Sequence, residues 1–140
     1  ITRPIIIARL SHSIETPMET SGFIFGLYAP SDGLTIKVPI GIGSKIELLE
    51  LLGHRLKFPD YYGVNWDAFE ECLRDLSWLS EHDIVISHLD LPLSGDQASA
   101  QTYLLILKDA IAKWANDVSH YLVVIFPAPL QPTIQALIGE

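Results

Sequence analysis

Asp67, Glu71 and Asp75 recur every four residues in KFPDYYGVNWDAFEECLRDL, residues 57–76. On a helix that spacing stacks three carboxylates on one face, where like charges repel by about 0.2–0.5 kcal/mol per pair. Between Pro59 and Asp90 the acids are Asp60, Asp67, Glu70, Glu71, Asp75, Glu81, Asp83 and Asp90, against a single cation, Arg74. Asp67, near the helix start, gains from the helix dipole, whereas Asp75 lies towards the negative end. Arg74 can pair with Glu70 or Glu71, but one cation cannot serve them all. Three chemistries could use such a row. Hydrolysis by paired carboxyls needs a concave pocket and separated proton affinities, which a convex helix face does not offer. A divalent-cation site needs a ligand loop, and none of the usual kind is present. A surface that attracts a cationic partner needs only the row itself. The plain alternative is a solvated helix face, which is what most charge runs are.

Other reactive groups point nowhere in particular. His12, His54, His82, His88 and His120 are scattered, without metal-ligand spacing. GIGSK, residues 41–45, lacks the glycine spacing and Gly-Lys-Ser/Thr order of a phosphate loop, and suits the turn before a capped helix. Cys72 stands among acids, which disfavour the thiolate, and on the apolar side of its helix. A buried, unreactive thiol is expected there. Neither a catalytic constellation nor a cofactor motif is present, so the chain is expected to be no enzyme and to bind no cofactor or metal.

The elements that must position the acid row can be read from periodicity. The chain has 140 residues, 49% of them apolar and 19% charged, which suits one globular domain with a real core. Net charge is −8, which disfavours nucleic acid and anionic membranes and favours a basic partner. With one cysteine no intrachain disulfide can form, so a cytoplasmic protein is expected. A monomer is the expectation for the oligomeric state, which no sequence feature fixes. RPIIIARL, residues 3–10, is too short for a membrane span, lacks the features of a signal peptide, and reads as a strand. Residues 11–21 read as a loop. GFIFGLYA (22–29) and LTIKVPIG (34–41), joined by PSDG, read as a hairpin, with Pro39 favouring a sheet edge. Ser44 and Glu47 fit a capping box, opening a helix that Pro59 stops. Asn65 is a good cap for a second helix over about 66–78, burying Trp66, Phe69, Leu73 and Leu76. DIVISHL (83–89) and YLVVIF (121–126) are buried strands flanking a helix over 100–117. PAPLQP cannot continue a ladder, and the tail TIQALIGE suits one helical turn. Strand–helix–strand units imply an α/β fold, a small parallel sheet of about three central strands packed with helices. The N-terminal β-hairpin is expected to extend that sheet.

FPDYYGVNWDAFEECLRDL resembles the signature of the barstar family, small cytosolic α/β proteins that inhibit microbial ribonucleases. The family frame of proline, acid, Tyr-Tyr-Gly, Asn, Asp-Ala and a Cys-Leu helix is matched at Pro59, Asp60, Tyr61, Tyr62, Gly63, Asn65, Asp67, Ala68, Glu71, Cys72 and Leu73. The resemblance is close over 57–73, implies a barstar-like core at 34–126, and does not cover the rest. The chain is expected to be one domain over 1–140, with a β extension at 1–33 and a tail at 127–140 outside that core. It implies that Asp67 and Glu71 are the central anions that plug a basic ribonuclease site. The family has aspartate where Glu71 stands. Tyr61 is implied as the loop's aromatic contact, Asn65 as cap and interface, and Trp78 and Asp109 as flanking contacts. Glu70 stands where the family has an aromatic, and Asp75 where it often has a small residue. The implied partner is a secreted or toxin ribonuclease, which makes the chain an immunity protein. The alternative is a non-inhibitory module of the same fold that binds another basic protein.

Overall fold

Runs of β-branched and leucine residues at 83–88 and 121–126 have no polar alternation, as expected of strands covered on both faces. They form the two inner strands of a parallel sheet. The computed structural model describes residues 22–26 and 33–140. The elements are β1 (Ile24–Phe25), β2 (Leu34–Val38), α1 (Lys45–Arg55), α2 (Trp66–Leu73), β3 (Asp83–His88), α3 (Gln97–Ala115), β4 (Tyr121–Phe126) and α4 (Gln131–Leu137), with a 3-10 turn at Ala128–Leu130. Among the described residues the sheet has four strands in the order β1-β4-β3-β2, and every neighbouring pair is parallel. The helices bury Ile36, Val38, Ile84, Ile86, Leu122, Val124 and Phe126 on one face. Ile24, Val85, Val123 and Ile125 form a smaller buried cluster on the other. No described helix is long and apolar enough to cross a membrane.

The expected hairpin between 22–29 and 34–41 is not formed. Among the described residues β1 and β2 are the two outer strands of the sheet, with β4 and β3 between them. Aromatic packing explains the choice: the rings of Phe23 and Phe25 lie 5.3 and 6.4 Å from that of Phe126 on β4, which pairing with β2 would forfeit. Hence the described sheet has four parallel strands, and the 22–29 segment adds no antiparallel margin. Pro39 does follow an edge strand, since β2 ends at Val38. The strand expected at 3–10, the loop at 11–21 and most of the PSDG turn lie outside the described residues.

Helix boundaries moved for identifiable reasons. Ser44 caps α1 as expected, its hydroxyl accepting from the Glu47 N–H at 3.1 Å. However, α1 ends at Arg55, ahead of Pro59. Lys57 takes a left-handed φ of 59°, and the Phe58 and Lys57 N–H groups turn back to the carbonyls of Gly53 and His54 at 2.8 and 3.2 Å. That is a Schellman closure, which satisfies carbonyls the helix would leave orphaned. The third helix starts at Gln97, three residues before its expected start at 100, because Asp96 caps it: its carboxylate accepts from the Ser99 N–H and hydroxyl at 3.2 and 2.8 Å. Those bonds hold the Asp96 carboxyl below the usual aspartate range. The tail forms two turns, α4, instead of one. Ile134 is buried, and Gln101 donates to the Leu137 carbonyl at 2.7 Å.

Candidate functional site

The acid row stands on α2, and three local devices fix that helix. The first is the cap. Asn65 Oδ1 accepts from the Ala68 N–H at 2.8 Å, while its amide donates to the Gly63 carbonyl at 3.4 Å. Replacing Asn65 with alanine is expected to lower unfolding free energy by about 1 kcal/mol, as for other N-caps. Urea denaturation of the variant measures this, and unchanged stability would show the cap to be idle. The second device is Gly63. A glycine there suggests a left-handed backbone, but the left-handed residue is its neighbour Val64, at φ 52°. Gly63 sits close to the cap instead: a Cβ there would lie 3.1 Å from the Asn65 amide nitrogen, tight enough that the cap would have to give by a few tenths of an ångström.

The third device is Tyr62. Its hydroxyl donates to the Leu49 carbonyl of α1 at 3.1 Å, and its ring meets Phe58 edge-on at 4.8 Å. A Cβ on Gly53 would lie 2.6 Å from that ring, so the helix glycine makes room for the tyrosine. Burial holds the Tyr62 phenol well above its ordinary range. Adjacent Tyr61 points the other way and is 71% exposed. Desolvation, followed by the charges of Cys72, Asp75 and Glu71, raises its phenol as well. The exposed loop tyrosine therefore shares one field with the lower half of the acid row.

The row itself is shorter than expected. The helix stops at Leu73 with Arg74 as its C-cap, so only Asp67, Glu70 and Glu71 are helical. Asp75 lies in the following turn, where its carboxylate accepts from the Ser77 N–H at 3.3 Å. Leu76 then turns left-handed at φ 46°, which breaks the helical path. Asp67, Glu71 and Asp75 are exposed and Glu70 is half-buried. Among the described residues no ion pair joins Asp67, Glu70, Glu71 or Asp75 to a cation, and Arg74 relieves none of them. The last turn of α2 holds no basic residue, so Glu70 and Glu71 also face the negative end of the dipole.

The remaining candidates sit elsewhere. Trp78 is half-buried, with its indole N–H donating to the Leu56 carbonyl at 2.9 Å and its ring 5.8 Å from that of Phe58. It braces the loop that carries Tyr61. Asp109 is exposed on α3, and no described bond links it to the row. Trp66 packs at 6.4 Å from both the Phe69 and Tyr103 rings, as its helical spacing suggested. Cys72 is buried, and burial first, then Glu71 and Asp75, push its thiol upward, which leaves it a poor nucleophile. Two further residues carry no sequence signal. Trp114 and His120 bind carbonyls at the end of α2, and no local pattern marks such long-range contacts.

A parallel four-stranded sheet, a helix capped by Asn65 and an acid row beside an exposed tyrosine are thus one unit. The family model described as Barstar (barnase inhibitor) matches residues 39–125, well over half of the chain. The chain belongs to the barstar family. The match runs from just after β2 to within one residue of the end of β4 and includes the whole acid row. No curated protein sequence matches the chain. Membership carries the fold and a family of inhibitors. In this barstar-family chain the candidate site is an exposed acidic surface beside the exposed Tyr61, chemistry suited to binding cations.

Proposed function

We propose that the protein inhibits a ribonuclease by seating the α2 acid row in the enzyme's basic, phosphate-binding site. The observation that carries this reading is the exposure of Asp67 and Glu71 without a cationic partner among the described residues, on a helix held at its start by Asn65 and beside it by Tyr62. A site built to hold RNA phosphates presents Arg, Lys and His. Carboxylates on a rigid helix offer it anions without a nucleic acid backbone. Repulsion within the row is relieved when those cations arrive, so the free face is frustrated until a partner binds. Asp67 and Glu71 take the centre, Tyr61 the aromatic contact, and Asn65, Glu70, Asp75, Trp78 and Asp109 the margin. The protein acts by occlusion in the cytoplasm, as an immunity protein against a toxin ribonuclease.

The test is inhibition itself. The protein is titrated into a barnase-type ribonuclease, and into any ribonuclease encoded beside it, while RNA cleavage is followed. Stoichiometric loss of cleavage is expected, and cleavage unaffected by an excess of the protein in every case would refute the proposal. Affinity should also fall as salt rises from about 0.05 to about 0.5 M, because screening shortens the reach of exposed charges from well above 10 Å to a few ångströms. Titration calorimetry across that range measures the slope. A flat response would mean that the acid row does not steer the encounter.

A further inference from the structure

The C-terminal end of α2 is held by side chains from distant elements. Trp114 of α3 donates its indole N–H to the Leu73 carbonyl at 2.9 Å. His120, just before β4, faces two carbonyls at once: Nδ1 lies 2.7 Å from the Glu81 oxygen and Nε2 lies 2.9 Å from the Leu76 oxygen. Carbonyl oxygens only accept. A neutral imidazole has one N–H and one bare nitrogen, so in this geometry it would aim a lone pair at a carbonyl lone pair. The imidazolium has a donor for each. The residue is 4% exposed, so water is a poor substitute for a missing donor.

The surroundings suit a cation. The Leu76 carbonyl belongs to the turn that closes α2, where the negative end of the helix dipole lies. Beside the ring, an open polar cleft of about 440 Å³ carries Asp75 from that turn, Lys113 from α3 and Asp117 from the α3–β4 connection. Lys113 and Asp117 lie 3.7 Å apart, and the Lys113 ammonium lies 3.4 Å from the centre of the Trp114 ring. Glu81 and His82 flank the bonded carbonyl in sequence, and His82 contacts Asp83 at 2.7 Å. Leu76 holds a left-handed φ of 46°, a conformation that persists in a bulky residue only when its surroundings fix it.

We propose that His120 is a doubly protonated positioning residue that clamps the 76–81 segment to the start of β4 and so fixes the end of the acidic helix. Its effect on binding rests on the ribonuclease reading above; the state of the ring does not. The first measurement is the imidazole nitrogen NMR spectrum of the labelled protein at neutral pH. Both His120 nitrogens are expected to carry protons, and one bare nitrogen overturns the proposal. The second measurement is amide exchange in His120→Gln, which cannot bridge both carbonyls as a cation. Exchange across 76–81 is expected to rise at least about tenfold with β3 unchanged, and the Kd for the ribonuclease to rise about tenfold, the worth of one charge-assisted hydrogen bond. Unaltered exchange there overturns the clamp. If the variant does not fold, the wild-type nitrogen spectrum decides. If no ribonuclease binds the wild type, the functional reading fails while the ring and exchange results still judge the clamp.

Discussion

Replacing Asp67 with alanine is expected to weaken ribonuclease binding by about 2–5 kcal/mol, roughly 30- to 5000-fold, while the protein stays folded. That range is general to truncated charge pairs at protein interfaces, a barstar complex among them, and is applied to Asp67 as a member of that class. The reason for a large loss is the counter-charge left buried and unpaired in the enzyme, more than the contact itself. The free protein should notice little. Asp67 is exposed in the first turn of α2, where its loss forfeits only a dipole contribution of about 0.3–1 kcal/mol. Glu71→Ala should weaken binding in the same direction with the opposite effect on stability. Glu71 sits near the negative end of the helix and four residues from Asp67, so its removal relieves repulsion and should raise unfolding free energy by a few tenths of a kcal/mol. Opposite stability signs with a shared binding loss are what a frustrated docking face produces. Asp67→Asn separates charge from shape and should behave like the alanine variant in binding. Titration calorimetry and thermal melts measure both quantities. Binding unchanged in either alanine variant, or loss of the folded state, would remove that residue from the interface.

The acid row was legible because i, i+4 spacing is a local property, and so were Asn65 and Ser44, whose capping oxygens act within three residues. What depends on distant chain was not. The end of α2 at Leu73 is set by a left-handed Leu76 and by bonds from Trp114 and His120, which lie 41 and 44 residues from the carbonyls they bind. Extending the helix to 78 from periodicity alone therefore places Asp75 on a face it does not occupy. The hairpin fails for a related reason. PSDG favours a turn, but Phe23 and Phe25 gain more by packing on Phe126 than by local pairing. Gly63 and Val64 show the limit at one bond: glycine suggests a left-handed backbone, yet the left-handed residue is Val64, and a side chain at Gly63 would instead crowd the Asn65 amide. The two tyrosines are alike in type. The α1 carbonyl at Leu49, the Phe58 ring and the room left by Gly53 hold Tyr62 inward, which leaves Tyr61 to the solvent.

The other large expected effect lies in the core. His88 is fully buried, with Nδ1 2.9 Å from the Ile125 carbonyl, Nε2 2.7 Å from the Tyr103 hydroxyl, and its ring stacked 4.0 Å from that of Phe126. Nδ1–H donates to the carbonyl, and Nε2 accepts from the tyrosine, whose phenol burial holds well above its ordinary range. A neutral ring satisfies every partner. Burial opposes the charged form more than the Ile125 bond favours it, which lowers the pKa from 6.5 to about 4. In the unfolded chain the same histidine takes up its proton near 6.5. Between those values the unfolded state binds more protons, so the His88 contribution to stability is full above about pH 6.5 and falls as pH drops towards about 4. A shift of that size corresponds to about 3 kcal/mol, a large share of the usual 5–15 kcal/mol. Asp96 and Asp117, both held below the ordinary aspartate value, lose their contributions only at lower pH, so their windows lie beneath that of His88. Urea unfolding at pH steps between about 7 and 4 should show the loss. NMR of the folded protein should show His88 still neutral at pH 5. A His88 ring that titrates near its ordinary value in the folded state would mean that the core admits its charge, and the acid sensitivity would then have to come from elsewhere.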